Sequence, residues 1–522
     1  PNIYWHDEVN TVEGALRIGA GNLTPQTLQH GMFLSLLLAG EYGTYYVLKK
    51  AAGIYSTPAD LLQEYMHDPS NFYIISRVTV GLFGVACIFL IYLIALKLYN
   101  KFVANLSSLF FSASFMSITH SKWTKDDLVA TFFILLGFLM TLRLFRLPHD
   151  KTKDMWRYYA MSGFFIGLAT AAKMNAAFSI VFVVIAHLYI YKTNNQQRSG
   201  IRCAISLFGF NIIISALSAI IGFIAGNPYA LINPYYFCIT IATLNKEMID
   251  PGRVSYLLYF TDHLKDVIGS RYLEIFVLIS CVYFMFRRSW KTILLLAYPV
   301  VLYLFYMNYP GFAHYLIPAL PFLFILTAVF VDMIYNKATN RPARVLMWAI
   351  VLITLAPCFL NILRYGALIS KPDTRTLAKE WIEKNVPNNS VILSEGYIST
   401  APTHVPQLKG NLNTLYRDMA LVKASGGSGI PIQEEIRLAG MDKTSARYDI
   451  YKTKVLSIED LARGRGDYVV LTGYSDIDLA QREFLREADF FSDRKNFYDT
   501  LNKKYRMVKE FIPYPEFGPF FP

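Results

Sequence analysis

The residues best suited to chemistry are two adjacent carboxylates, Asp7 and Glu8, close to the start of the chain. They precede a region of apolar runs that extends from 73 to 366. An ionised acid beside hydrocarbon is costly unless it faces water, a partner or a substrate. Two acids together indicate that one of them holds or releases a proton. The alternative is an ordinary solvated loop that carries two acids.

Three further polar features interrupt the apolar sequence. Asp126 and Asp127 open an apolar run, Lys173 is the only charged residue within a long apolar stretch, and His314 and Tyr315 lie near the end of another run. A lysine can neutralise a phosphate leaving group, and a carboxylate can accept the proton of an attacking hydroxyl. Brought together, these residues would suit transfer of a group from a phosphate-bearing lipid. The alternative is that each charged side chain reaches water at a helix end, with His314 a satisfied interface histidine.

The elements that must position these residues are transmembrane helices. The chain has 522 residues, 54% of them hydrophobic, and a mean hydropathy of +0.32, which is typical of an integral membrane protein with an additional soluble part. A run of about 18 apolar residues can cross a bilayer core of ~30 Å. Ten runs are predicted as spans: 73–98, 102–120, 128–146, 156–172, 175–192, 203–225, 272–286, 291–308, 312–335 and 343–366.

The formal net charge of +12 is concentrated at alternate ends of these runs. The basic loops are 97–101, 143–157, 192–202, 287–291 and 337–344. This pattern predicts that those ends are cytoplasmic and that all the candidate residues above lie on the outer side. Because the positive charges form no single stripe, the sequence argues against nucleic-acid binding.

Residues 1–72 are predicted to form the first extracytoplasmic loop. Within it, the run 28–48 is interrupted by Glu41 and is predicted to be a helix lying in the outer membrane interface, since a crossing there would reverse every later span. A start outside the membrane leads us to expect an earlier spanning helix that this sequence lacks. The five cysteines have no paired spacing, so neither a disulfide framework nor a cysteine metal site is indicated.

From 370 to 522 the composition is that of a small extracytoplasmic α/β domain. A helix is predicted after Asp373, where an acidic cap precedes residues with helical spacing. The other predicted elements are strands at 391–395 and 468–472, a loop over about 405–450, helices at 477–487 and 491–503, and a last strand at 505–511.

Several motifs together resemble the GT-C glycosyltransferases, in the branch that contains protein O-mannosyltransferases and the lipid A aminoarabinose transferase. Asp7-Glu8 is similar to the Asp-Glu motif that heads the first outer loop of this family. The other matching segments are 122–131, 163–173, 227–234, 314–321 and 373–386. The resemblance implies a polytopic α-helical GT-C core of about eleven spans, of which ten lie in 73–366 with an outer loop at 226–271.

The resemblance also implies an activity, namely transfer of a hexosyl or pentosyl group from a polyprenyl-phosphate or dolichyl-phosphate donor to an acceptor hydroxyl. Direct displacement on the outer face would invert the anomeric configuration. Asp7 would be the catalytic base or a carboxylate that orients the acceptor, and Glu8 would be its neighbour in acceptor binding. Either Asp126 or Asp127 would support the site, and Lys173 would contact the donor phosphate. The remaining candidates are Arg253 for the donor phosphate and His30, His314 and Tyr315 for substrate.

The loop 226–271 is too short for the β-trefoil domain of eukaryotic protein O-mannosyltransferases. This favours a prokaryotic enzyme in the inner (plasma) membrane over one in the endoplasmic reticulum. Asp7-Glu8 is not followed by the Arg-Tyr that is frequent in the aminoarabinose branch, which leaves the sugar open. The acceptor, whether protein, lipid or wall polymer, and the need for a divalent metal are also open.

Two readings from other classes remain alternatives. A transporter or lipid flippase could use the outer acids to relay protons or bind cargo, although such proteins tend to show internal repeats and none is visible here. A non-catalytic assembly subunit could use the 370–522 domain for contacts.

Overall fold

The computed structural model describes residues 6–24, 31–145, 155–194, 209–248, 256–287, 289–306, 313–338, 340–395 and parts of 406–511. The described chain divides into two compact units. One contains 7–61 and 70–364 and is called the membrane unit, and the other contains 365–521 with two short N-terminal pieces and is called the C-terminal unit.

The membrane unit is helical throughout its described residues. Its α-helices are α1 His6–Gly19, α2 Phe33–Ala51, α3 beginning at Pro58, α4 Ser70–Leu98, α5 Lys101–Ser112, α6 Phe115–Ser121, α7 Asp127–Leu144, α8 Met155–Ala172, α9 Val181–Asn194, α10 Phe210–Gly226, α11 Tyr229–Ile232, α12 Pro234–Met248, α13 Tyr256–Ile268, α14 Arg271–Met285, α15 Trp290–Tyr306, α16 Leu320–Lys337 and α17 beginning at Arg341. Two 3₁₀ helices, Met174–Ile180 and Ala313–Ala319, precede α9 and α16.

A helix occupies each of the ten runs predicted as spans. Among the described residues, five helices are long and apolar enough to cross a membrane: Ser70–Leu98, Asp127–Leu144, Met174–Thr193, Ala313–Lys337 and the long helix that begins at Arg341. The membrane character of the chain is therefore confirmed, while the count of ten spans stays a prediction. The helices at 210–226 and 290–306 are apolar but shorter.

The predicted span 102–120 is not one straight helix. It is divided into α5 and α6, which meet at an angle of 65°. Ser114 at the break has extended backbone angles, and its hydroxyl donates a hydrogen bond to the carbonyl of Val267 at 2.9 Å. A contact with a residue far along the chain thus fixes the bend, and it turns the last helical residues, including His120, across the axis of α5.

The acidic motif lies in a helix, and its place in an extracytoplasmic loop between spans stays a prediction. Asp7 and Glu8 occupy the first turn of α1, where carboxylates are favoured by the partial positive charge of the helix amino end. The interfacial run predicted at 28–48 contains α2, which begins at Phe33.

Helices α8 and α10 approach each other closely through small residues. A Cβ atom placed on Gly163 would lie 2.0 Å from the carbonyl oxygen of Ser215, and one on Gly167 would lie 2.1 Å from that of Ala219. Small residues allow membrane helices to pack backbone against backbone, where apolar side chains gain nothing over lipid. This contact fixes α8, which ends immediately before Lys173.

The C-terminal unit contains a three-stranded parallel sheet in the order β2-β1-β3. The strands are β1 Val391–Glu395, β2 Asp449–Thr453 and β3 Tyr468–Val470, and the helices in this part of the chain are α18 Thr374–Asn385, α19 Leu412–Ala424 and α20 Ala488–Lys504. Side chains alternate across the sheet, so that Ile392 packs with Ile382 of α18 and Leu393 packs with Phe497 of α20.

The structure confirms the strand at 391–395 and corrects two other predictions in this unit. The region 405–450 is not only loop, since it contains α19 and the start of β2. No strand is present over 505–511, the segment predicted to hold the last strand, all of which is described. The helix predicted at 477–487 lies outside the described residues.

Candidate functional site

Asp127, the first residue of α7, is the centre of the candidate site. Its side chain is only 3% exposed. One carboxylate oxygen, Oδ1, accepts a hydrogen bond from Nζ of Lys173, and the other, Oδ2, lies 2.9 Å from Nδ1 of His120. A buried carboxylate is stable only when paired and hydrogen-bonded, and the amino end of α7 favours it further. Both oxygens are therefore engaged by basic side chains.

Lys173 is presented by the break between α8 and the 3₁₀ helix that follows. Its extended backbone angles end α8 and direct the side chain to Asp127. Nζ also lies 4.6 Å from the ring centre of Tyr315, a distance at which an ammonium is attracted by an aromatic face. The single charge within the long apolar stretch is thus held by one carboxylate and one ring.

His120 was not singled out from the sequence. It lies in α6, is 3% exposed, and its ring centre is 5.1 Å from that of Trp123 and 5.3 Å from that of His314. When His120 is neutral, the bond to Asp127 holds the proton on Nδ1 and leaves Nε2 as a proton acceptor. The available signal was a histidine inside an apolar run, seven residues before an acid.

The 3₁₀ helix Ala313–Ala319 brings two predicted residues, His314 and Tyr315, to the same place. The Tyr315 ring stacks on that of Tyr306 with centres 5.0 Å apart, and the hydroxyl of Tyr306 is bonded to Nδ2 of Asn175. Residues from five parts of the sequence therefore meet. We call this group the Asp127 cluster, which consists of His120, Asp127, Lys173, Asn175, Tyr306, His314 and Tyr315.

Glu8 is fully buried and bonded on both of its oxygens. Nε and Nη2 of Arg77 donate to Oε1 and Oε2 at 3.0 and 2.8 Å, and the backbone N–H of Thr124 donates to Oε1 at 2.9 Å. The carboxylate thereby joins α1, α4 and the segment just before Asp127. Arg77 was missed in the sequence, where its signal was a lone arginine inside an apolar run.

Of the other predicted site residues, only some lie within the described part of the structure. Asp7 is in the first turn of α1, next to Glu8, and its side chain lies outside the described part of the structure. Asp126 precedes α7 and is buried beside Asp127. His30 and Arg253 lie outside the described residues.

Gly31 positions the chain beside the end of α8. A Cβ atom on this residue would lie 2.0 Å from the carbonyl oxygen of Ala172 and 2.2 Å from that of Ala171. Only a glycine allows this approach, because any side chain would displace the backbone. The segment after His30 is thereby packed against the turn that presents Lys173.

The electrostatic balance of the cluster is close to neutral when both histidines are neutral, since one carboxylate faces one ammonium. Outside the spans, burial lowers the pKa of Lys122, which follows α6. Within the described residues, no group of three or more His, Cys, Asp or Glu side chains is arranged to hold a metal ion. The arrangement can bind an anion at Lys173 and move a proton at His120.

Residues 24–225 match the family model described as dolichyl-phosphate-mannose-protein mannosyltransferase. No curated protein sequence matches the chain. The solved structures to which the chain is similar include ArnT from Cupriavidus metallidurans bound to undecaprenyl phosphate, with 10% identity, 86% of each chain covered and a TM-score of 0.49. They also include the apo oligosaccharyltransferase of Archaeoglobus fulgidus, with 13% identity, 81% of this chain and 65% of that chain covered, and a TM-score of 0.49.

A third structure is the Archaeoglobus fulgidus oligosaccharyltransferase AglB in complex with an inhibitory peptide and a dolichol-phosphate, with 14% identity and a TM-score of 0.46. That match covers 74% of this chain and 58% of AglB, so the chain spans less than two thirds of the length of the archaeal enzyme. At these identities and scores the structural likeness says nothing of activity.

The part of the chain from 24 to 225 therefore matches the protein O-mannosyltransferase family, which is in the branch that the motifs resemble. The matched segment contains Asp127 and Lys173 of the cluster, while His314 and Tyr315 lie beyond it.

Proposed function

We propose that the protein is a membrane glycosyltransferase that moves a sugar from a polyprenyl-phosphate or dolichyl-phosphate donor to an acceptor hydroxyl. The observation that carries the proposal is the Asp127 cluster, in which a largely buried lysine, a carboxylate and two histidines meet. The lysine, the carboxylate and His120 lie in the segment that matches a mannosyltransferase family. A prokaryotic inner membrane, with transfer on its outer face, is part of the proposal.

The reaction exchanges one bond at the anomeric carbon. The acceptor oxygen forms a bond to this carbon, the bond between the carbon and the donor's phosphate oxygen breaks, and the polyprenyl phosphate leaves with the electron pair. The acceptor proton passes to a carboxylate, for which Asp7 is our candidate. Attack opposite the leaving group inverts the anomeric configuration.

Lys173 is assigned to the donor phosphate, whose negative charge increases as it leaves. An ammonium has three N–H donors, and the bond to Asp127 uses one of them. The phosphate can therefore bind without displacing Asp127, which keeps the lysine pointing into the site. His120 and His314 lie close enough to this pair to respond to the added charge.

Glu8 is assigned to positioning. Its two oxygens already accept three hydrogen bonds, so it has little capacity left for an acceptor substrate. One of these hydrogen bonds is donated by the backbone N–H of Thr124. Glu8 therefore links the helical turn that carries Asp7 to the segment that leads into Asp127.

A transfer assay in nanodiscs with radiolabelled polyprenyl-phosphate sugars tests the proposal. Asp7→Asn should abolish transfer to the acceptor while donor binding persists, because the amide cannot accept the proton. Asp60→Asn is the matched control, since Asp60 lies in the first turn of α3 and is only partly buried, and the amide oxygen of an asparagine there could still accept the hydrogen bonds from the backbone N–H groups of Ser56 and Thr57. Full turnover in Asp7→Asn would reject the role of Asp7, and movement of donor lipid without transfer would favour a flippase.

A further inference from the structure

The side-chain amide of Asn175 has one polar atom without a hydrogen-bond partner among the described residues. Its Oδ1 is buried and meets no hydrogen-bond donor in the described part of the chain, while Nδ2 is bonded to the hydroxyl of Tyr306. Turning the amide over would exchange the two atoms and leave the other one unmatched. A buried polar atom that stays unpaired costs free energy, so such an atom in a functional region indicates a missing ligand group.

The amide that carries the unpaired atom is connected to Lys173 through two tyrosine rings of the Asp127 cluster. Asn175 follows Lys173 by two residues in the 3₁₀ helix Met174–Ile180. Tyr306 fixes the amide and stacks on Tyr315, and the Tyr315 ring lies 4.6 Å from Nζ of Lys173. The amide is therefore oriented by residues that also contact the lysine assigned to the donor phosphate.

We propose that Asn175 recognises a hydroxyl group of the donor sugar and so contributes to the choice of sugar. This inference rests on the proposed function, because the sugar reaches Asn175 only if its phosphate is held by Lys173. A sugar hydroxyl matches the site, since it can donate to Oδ1 and can equally accept from an N–H. Tyr306 is a positioning residue that orients the amide.

The test uses the full chain in nanodiscs. A panel of polyprenyl-phosphate hexoses first identifies the sugar that the unaltered protein transfers best, and the singly deoxygenated forms of that donor are then compared. The unaltered protein should use one deoxygenated donor roughly tenfold to a hundredfold less well in kcat/KM than the parent, because a site built to bond a hydroxyl rejects an analogue without it.

Asn175→Leu should lower kcat/KM for the parent donor by a similar factor and leave kcat/KM for the matching deoxygenated donor unchanged, so that the enzyme no longer distinguishes the two donors. Asn175→Asp, which keeps an acceptor oxygen, should retain part of this discrimination. Tyr306→Phe should weaken discrimination without removing the amide. Tyr298→Phe is the control on the same helix, because its buried hydroxyl also lacks a partner among the described residues and its removal should change nothing.

The outcomes are separable. Transfer with an unchanged preference among all the deoxygenated donors in Asn175→Leu and Tyr306→Phe would overturn this inference and leave the proposed function standing. Failure of the unaltered protein to transfer any sugar would overturn the proposed function and this inference together. If Asn175→Leu does not fold, the preference between parent and deoxygenated donors in Asn175→Asp and Tyr306→Phe tests the inference instead.

Discussion

At the residue scale, Lys173 shows how an ammonium group can be stabilised and oriented in an apolar environment. Its side chain is 16% exposed, and an ion pair with Asp127 and the ring face of Tyr315 compensate it from two sides. An ammonium held this way is already oriented before an anion arrives, so little reorganisation accompanies binding.

Replacing Lys173 by Met should lower kcat for transfer by about 10²–10³-fold, the usual cost of losing one preorganised charge at a leaving group. Asp127→Asn should reduce transfer as well, since the lysine loses its orientation. Initial rates at saturating donor measure both effects. Lys101→Met is the control, because Lys101 is exposed at the start of α5. A Lys173→Met variant with normal kcat would exclude the phosphate role.

The Glu8–Arg77 pair is the second feature at this scale, and it concerns stability. Arg77→Met should lower the free energy of unfolding by about 3–5 kcal/mol, because a buried carboxylate would lose its partner. The double variant Glu8→Gln with Arg77→Met should lose less than the sum of the single changes. Thermal unfolding in detergent would show this, and strictly additive losses would contradict the pairing.

At the element scale, the site depends on how the ends of helices are held. Three breaks between helices carry residues of the cluster. Helices α5 and α6 meet at Ser114, α8 ends before Lys173, and α7 begins at Asp127. The close packing of α8 against α10 holds the end of α8, and with it Lys173, in place.

Gly167→Val should therefore reduce the yield of folded protein and lower its Tm, since its Cβ atom alone would lie 2.1 Å from a backbone oxygen of α10. Transfer activity should fall with the folded fraction. Gly43→Ala serves as the comparison, because nothing lies within 4 Å of a Cβ there and alanine favours a helix by about 0.5–1 kcal/mol. Equal Tm values for the two variants would show that the packing tolerates a larger residue.

At the scale of the whole molecule, the orientation in the membrane stays a prediction from the basic loops. In a cysteine-free background, Ser56→Cys should react with a membrane-impermeant maleimide added outside intact cells, and Lys101→Cys should react only after the cells are opened. Both positions are exposed. The reverse pattern would invert the topology and place the Asp127 cluster near the cytoplasmic side.

The sequence predicted helices in the ten candidate spans well because each span is a largely apolar run. It also predicted that Asp127, Lys173, His314 and Tyr315 belong together. It did not predict the break at Ser114, since residues 102–120 contain no proline or glycine that would indicate one. The hydrogen bond that fixes the bend is accepted by Val267, 153 residues later.

Other parts of the site and fold had only weak local signals. His120 and Arg77 looked like isolated interruptions of apolar runs, and their roles arise from partners seven and 69 residues away. Strand β2 was hidden in a region rich in polar residues and glycine. Its pairing with β1 comes from the assembled sheet and not from its own pattern.

The parallel sheet sets the order in which the C-terminal unit can assemble. Its central strand, β1, is synthesised first, yet both of its neighbours come later, at 449–453 and 468–470. Parallel strands cannot pair through a tight hairpin, and contacts between distant residues form slowly. During synthesis, Ile392 and Leu393 therefore stay unpaired with their neighbouring strands until residue 470 has emerged.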